Sequence, residues 1–212
     1  MTVRVGSGRK APLTDALELA WAALEELDPR QLAEDLGAVV DGRPSVLRLA
    51  MLNDECFVDL SGKAVTYSDL GGPEVPRFLQ VLILHYLAGA TKTQLTDRLI
   101  SFRELSGGAL YYPAFKARTI DPLVEEFGLS PERLRRVAAK LNAEPLEVGT
   151  VGVKVRFFDR LPVAVILWLG DSEVSASASI LYDASAAKIL PTEDLTVVGG
   201  VVSRTLIKGA RG

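Results

Sequence analysis

The sequence predicts an α+β chain in which antiparallel sheet elements pack with several helices, and three observations carry that prediction. Short apolar runs at 46–52, 56–60 and 64–67 are separated by Asn53-Asp54-Glu55 and Ser61-Gly62-Lys63, the pattern of an antiparallel meander. Near the C-terminus, 161–169 is apolar throughout, and after Gly170-Asp171-Ser172-Glu173 the run 174–182 alternates with serines, which reads as a central hairpin. Elsewhere apolar residues recur at helical spacing. A chain of 212 residues, 48% hydrophobic and 24% charged, is expected to form one domain behind a flexible tail at 1–12.

The first helical stretch, 14–36, presents Leu17, Trp21, Leu24, Leu27, Leu32 and Leu36 with one longer step across Asp28-Pro29. It is one helix, or two broken near Pro29, with Thr14 as the expected N-cap and Asp15 in the first turn. A turn at 41–44 leads into the meander, which Gly71-Gly72-Pro73 ends. The stretch 75–90 is apolar on nearly every side, as in a helix surrounded by neighbours. A second helix or helical turn is expected at 91–105, and 109–127 is expected to be helical or irregular with breaks at Pro113 and Pro122. Ser130-Pro131-Glu132 starts a helix that runs to about Asn142. Val151, Val153, Val155 and Phe157 alternate with Lys154 and Arg156 in a half-exposed strand. The last helix, from Glu193, presents Leu195, Val198, Val202 and Leu206, and its Gly199-Gly200 pair predicts close approach of another backbone.

Composition narrows the function. A net charge of −3 gives no general drive toward nucleic acid, so no nucleic-acid partner is expected. Apolar stretches fall short of a membrane span and no secretory signal opens the chain, which predicts a cytoplasmic protein without membrane partners. One cysteine, Cys56, rules out an internal disulfide and any zinc ribbon or iron–sulfur cluster held by this chain alone; in phase with Val58 and Leu60 it reads as a packing thiol.

Phe158-Asp-Arg-Leu-Pro162, Leu167-Trp-Leu-Gly-Asp-Ser-Glu173, Ile180-Leu-Tyr-Asp-Ala-Ser185 and Leu190-Pro-Thr-Glu-Asp-Leu195, with His85-Tyr-Leu87 and Phe102-Arg-Glu-Leu-Ser-Gly-Gly108, form a specific ordered set. Over most of 75–207 the chain resembles an uncharacterised bacterial and archaeal family, domain of unknown function 3786. The resemblance implies no activity; through the associations of some relatives it implies a link to corrinoid or iron–sulfur anaerobic metabolism.

No Walker loop, complete GxGxxG, GxSxG or HExxH is present, so no cofactor is assigned. Two readings follow. The first is a non-catalytic accessory protein binding a small anionic ligand or a protein partner. Its candidate residues are His85, Arg103, Glu104, Tyr111, Tyr112, Lys116, Arg118 and Trp168, since cations beside Gly107-Gly108 suit an anion and aromatics can stack on a ligand. The second is a carboxylate enzyme, with Mg²⁺ or Mn²⁺ held by Asp171, Glu173, Asp183, Glu193 and Asp194. Structural roles are open for the same residues. His85, the only histidine, also reads as a core imidazole bonded to a backbone group or a carboxylate, Trp168 as a core aromatic, and the acids as turn and helix caps. Arg103, between Phe102 and Leu105, is expected to pair with an acid or face a cleft.

Overall fold

The protein is described from a computed structural model covering residues 13–36, 39–40, 45–90 and 93–212; the tail at 1–12 and the turn at 41–44 lie outside the described residues. The N-terminal stretch is two helices, α1 (Leu13–Glu25) and α2 (Pro29–Leu36). Pro29 opens α2 because its missing N–H is no loss at a first helical position, and the Asp28 carboxylate accepts the Arg30 N–H at 2.8 Å as an N-cap does. Since α1 already begins at Leu13, Thr14 stands inside the helix and not ahead of it.

The meander forms in chain order as β1 (Val39–Val40), β2 (Val46–Met51), β3 (Asp54–Asp59) and β4 (Ala64–Tyr67), a four-stranded antiparallel sheet with one short strand beyond the three expected runs. Cys56 pairs with Leu49 and Tyr67 across this sheet and is fully buried. Burial, and after it the charge of Asp54, pushes the thiol up to about 12. Because the thiolate is the reactive form, Cys56 is expected to stay unmodified by a thiol-specific disulfide reagent in the folded protein and to react fully in denaturant. Rapid native-state labelling would contradict this placement.

Helix α3 (Arg77–Gly89) is buried on nearly all sides, as its sequence predicts, and packs on α1. Beyond it, where a helix or helical turn is expected at 91–105, the described part, 93–105, holds no α-helix and one 3₁₀ turn. The chain runs without regular structure to β5 (Leu99–Ser101), followed by the 3₁₀ turn at Phe102–Glu104. From Thr93 to Arg98 the only apolar residue is Leu95, so a helix here would have no apolar stripe to bury. Residues 99–101 instead satisfy their backbone groups by pairing with the open edge of the second sheet.

Gly107 takes φ +71 as the N-cap of α4 (Gly108–Phe127), and a Cβ at Gly108 would lie 1.9 Å from the Phe102 carbonyl oxygen, so this pair needs glycine. Contrary to expectation, α4 runs unbroken through Pro113 and Pro122. Each proline costs about 3 kcal/mol inside a helix. The cost is offset by a buried stripe, Phe115, Thr119, Leu123 and Phe127, packed against the last helix and the second sheet. Helix α5 (Pro131–Lys140) begins at Ser130 as expected, though the serine side chain makes no cap bond.

The second sheet joins β5, β6 (Glu144–Leu146), β7 (Val151–Phe158), β8 (Leu161–Trp168) and β9 (Ser177–Asp183) in the order β5-β9-β8-β7-β6, all antiparallel. The apolar β8 is its central strand, as predicted, paired with β9 from Val163 opposite Tyr182 to Trp168 opposite Ser177. β9 starts three residues later than the alternation suggested, because Val174 to Ala176 belong to the connection. The short α6 (Ala186–Ile189) leads to α7 (Thr192–Arg211), whose Leu195, Val198, Val202 and Leu206 are fully buried. Gly199 does mark a close approach, but of side chains: a Cβ there would meet the Tyr182 hydroxyl at 2.6 Å and the Phe115 ring at 2.7 Å. Gly200 faces only the Arg204 side chain. One continuous apolar core spans both sheets and the helices between them, and the Leu52 N–H donates to the Phe157 carbonyl where the sheets meet.

Candidate interaction surface

Strand alternation sends Pro162, Ala164, Ile166 and Trp168 to the face of β8 opposite Val163, Val165 and Leu167. At the end of the strand that face opens to solvent, so Trp168 is 38% exposed and not a core aromatic. The chain then makes a closed turn: the Asp171 carboxylate accepts the Glu173 and Val174 N–H groups, both at 2.8 Å, and the Asp171 N–H donates to the Val174 carbonyl. The two bonds to the carboxylate hold the Asp171 carboxyl below its ordinary value. Closing the turn this way lifts Leu169 and Val174 out of the sheet, 50% and 65% exposed.

Two neighbouring segments are tied to the same end. Leu169 donates its N–H to the Thr150 hydroxyl at 2.9 Å, and the Thr150 N–H donates to the Leu167 carbonyl at 2.8 Å. Gly149, at φ +74, is pressed so closely on β8 that a Cβ would lie 2.6 Å from Ile166. This places Val148, 49% exposed, beside the turn. On the other flank, the Cβ position of Gly128 lies 3.0 Å from the Ala176 methyl group, which brings the 94% exposed Leu129 to the same end. The rim carries Glu147, Asp171 and Glu173, none of them in a salt bridge among the described residues.

The remaining residues singled out from sequence are dispersed. The His85 Nδ1 lies 2.6 Å from an Asp194 carboxylate oxygen, joining α3 to the first turn of α7; this is the carboxylate-bonded imidazole of the structural reading. Among the described residues, Arg103 forms no salt bridge with an acid. Arg103 is exposed, and its guanidinium lies over the Tyr112 ring, 4.0 Å from the centroid. Glu104 accepts the Ser101 N–H at 2.7 Å and the Ser101 hydroxyl at 3.0 Å, and these bonds hold its carboxyl below the ordinary value. Lys116 is paired with Asp121. Tyr111 and Arg118 do come together, lining a groove of about 270 Å³ between α4 and α7, but Glu193 lines it too.

The acids of the second reading do not converge. Asp171 and Glu173 sit at one end of β9 and Asp183 at the other, about 20 Å apart at 3.3 Å per residue. Asp194 is engaged by His85, and among the described residues no three histidine, cysteine or carboxylate side chains are grouped to hold a metal ion. Sequence reasoning named Trp168, Asp171 and Glu173 in other roles and missed Leu129, Val148, Leu169 and Val174. The unbroken apolar run 161–169 hides where the core ends.

The fold is therefore that of an α+β protein built on two antiparallel sheets, with an uncovered apolar end on the larger one. The chain belongs to the family described as Domain of unknown function (DUF3786), whose profile matches residues 28–205, from α2 through most of α7. The match includes the meander, which the motif resemblance over 75–207 did not reach. No curated protein and no solved structure gives a significant match. No helix among the described residues is long and apolar enough to cross a membrane.

Proposed function

We propose that this chain is a non-catalytic accessory protein that docks a protein partner through the β8–β9 end of its second sheet. The partner contributes apolar side chains flanked by lysine or arginine. The observation that carries this reading is the exposure of Val148, Trp168, Leu169 and Val174 about one end of β8, with Leu129 exposed on the helix flank of the same end and Glu147, Asp171 and Glu173 in the same segments. Large apolar side chains clustered in water on a protein surface favour association, and the unpaired carboxylates select the sign of the approaching charge.

A small anionic ligand at α4 draws less support, because Arg103 stacks on Tyr112, Lys116 is neutralised by Asp121 and Arg118 shares its groove with Glu193. The carboxylate enzyme draws little from the placement of its acids, since Asp171 and Asp183 accept backbone N–H groups of their own turns and Asp194 is bonded to His85.

Trp168 supplies a local reporter, since the only other tryptophan, Trp21, is 5% exposed. Titrating the full chain with a peptide of alternating leucine and lysine is expected to shift Trp168 emission to the blue, with a micromolar Kd that weakens with salt. The leucine–glutamate peptide is expected to leave the emission unchanged, and Leu169→Ser with Val174→Ser to abolish the shift while altering folding stability by no more than about 0.5 kcal/mol. No shift, or the same shift with both peptides, refutes the reading. Self-association of the parent chain in light scattering, lost in the double variant, assigns the surface to a second copy instead.

A further inference from the structure

The outer face of the second sheet holds a cavity of about 640 Å³, at the end of β8 opposite Trp168. It lies within the size range of small-molecule sites. One wall is the irregular segment 93–98, through Leu95 and Asp97. The Asp183 carboxylate pins that segment by accepting the Thr96 N–H at 3.1 Å and the Thr96 hydroxyl at 2.9 Å, and the Arg160 guanidinium donates to the Thr93 carbonyl at 2.8 Å. The cavity is therefore a built feature held by part-buried hydrogen bonds.

Its charges are unbalanced. Lys154 and Arg156 line it together with Asp97, Glu144, Asp159 and Asp183, a formal excess of two negative charges. Glu144 already binds both cations, at 2.7 Å to Lys154 and 3.2 Å to Arg156, and Arg156 also reaches Asp159 at 3.8 Å. An added anion would have to displace these partners. Asp97, which lines the cavity, has no side-chain partner among the described residues, and its backbone lies in the left-handed region at φ +55. Leu99, Leu146 and Pro162 supply the apolar part of the lining.

A metal ion does not fit the arrangement, since the carboxylates are not grouped as ligands. They are spread across the sheet: Leu99 pairs with Asp183, and Pro162, beside it on β8, pairs with Arg156 on β7. From Leu99 on β5 to Arg156 on β7 that is three strand spacings, about 14 Å, between the acidic and the mixed side. From this we infer that the cavity binds a small aliphatic diamine or polyamine, one ammonium at Asp97, the methylene chain over Leu99 and Pro162, and the second ammonium at the free side of Asp159.

The test is calorimetric titration of the full chain with spermidine and with putrescine at low salt, with butanediol as the neutral counterpart and Mg²⁺ as the inorganic one. Amines are expected to bind and the diol not, with affinity about tenfold weaker in Asp97→Asn, a change of about 1.4 kcal/mol. Asparagine tolerates positive φ, so that variant keeps the fold. Glu34→Gln, removing an exposed acid on α2, is expected to leave binding unchanged, and Trp168 emission is expected not to respond, which separates this site from the docking surface. The inference is overturned if millimolar spermidine gives no binding heat, if Asp97→Asn binds as the parent does, if Glu34→Gln weakens binding equally, or if Mg²⁺ binds with the same Asp97 dependence.

Discussion

Asp183→Ala is expected to lower folding stability by about 3 kcal/mol, the largest loss for any single polar side chain here. The residue is 2% exposed, and its carboxylate accepts four donors: the Thr96 N–H and hydroxyl, and the Ser185 N–H at 2.8 Å and hydroxyl at 2.5 Å. Alanine would orphan the buried Ser185 N–H and hydroxyl, at about 1–3 kcal/mol each before relaxation, and would release the part-buried Thr96 donors to solvent at lower cost. The segment 93–98 and the turn into α6 would loosen together. Burial pushes the Asp183 carboxyl up, but the bonds from Ser185 and Thr96 outweigh it and leave the group below its ordinary value. A depressed carboxyl contributes stability that is fully present above the unfolded-state value, about 4, and is lost as pH falls through the folded-state value. Urea denaturation should therefore find the gap between parent and Asp183→Ala widest near neutral pH and narrower in strong acid. A gap that is small, or constant with pH, would mean that the four bonds do not hold the carboxylate in its charged form.

A comparable loss, about 3 kcal/mol or more, is expected for Gly89→Ala, for a steric reason. A Cβ on Gly89 would lie 2.0 Å from the Ile189 carbonyl oxygen and 3.0 Å from its carbon. Both atoms are backbone, so no rotamer change relieves the contact, and α3 must move away from α6. That movement also strains the Tyr86–Phe158 ring stack at 4.1 Å and the bond from the Arg160 N–H to the Tyr86 hydroxyl at 3.2 Å. Gly200→Ala is the natural control, because its Cβ meets only the flexible end of Arg204, and removing a mid-helix glycine is worth about 0.5–1 kcal/mol in the other direction. Chemical denaturation of the two variants should move in opposite directions. Gly89→Ala at parental stability would contradict the α3–α6 contact.

The sequence made the elements with strong periodicity legible: the two N-terminal helices, α3, α5, α7, the meander and the central β8–β9 pair. It failed where a tertiary partner decided the outcome. Residues 99–101 became a strand because β9 offered an open edge at Tyr182 and Asp183. Pro113 and Pro122 stayed inside α4 because the Phe115 to Phe127 stripe had a buried face to fill. The Gly199-Gly200 pair reads as the close approach of another backbone, whereas the Tyr182 hydroxyl and the Phe115 ring fill the space at Gly199 and only the Arg204 side chain lies near Gly200. The same limit governs the site. Asp171 and Asp183 were legible as turn residues from their neighbours, whereas the exposure of Trp168 depends on what covers one face of a strand that is apolar on both. Leu129 and Val148 reach that end only through contacts at Gly128 and Gly149.

Locating the bound peptide on the protein tests the docking surface most directly. Amide chemical-shift mapping of the isotope-labelled chain, titrated with the leucine–lysine peptide, is expected to perturb residues 128–130, 147–150 and 167–177 and to leave the 93–98 segment and the α4–α7 groove unchanged. Perturbations centred on Tyr111 and Arg118, or scattered over the acidic surface without a maximum at the β8–β9 end, would contradict it.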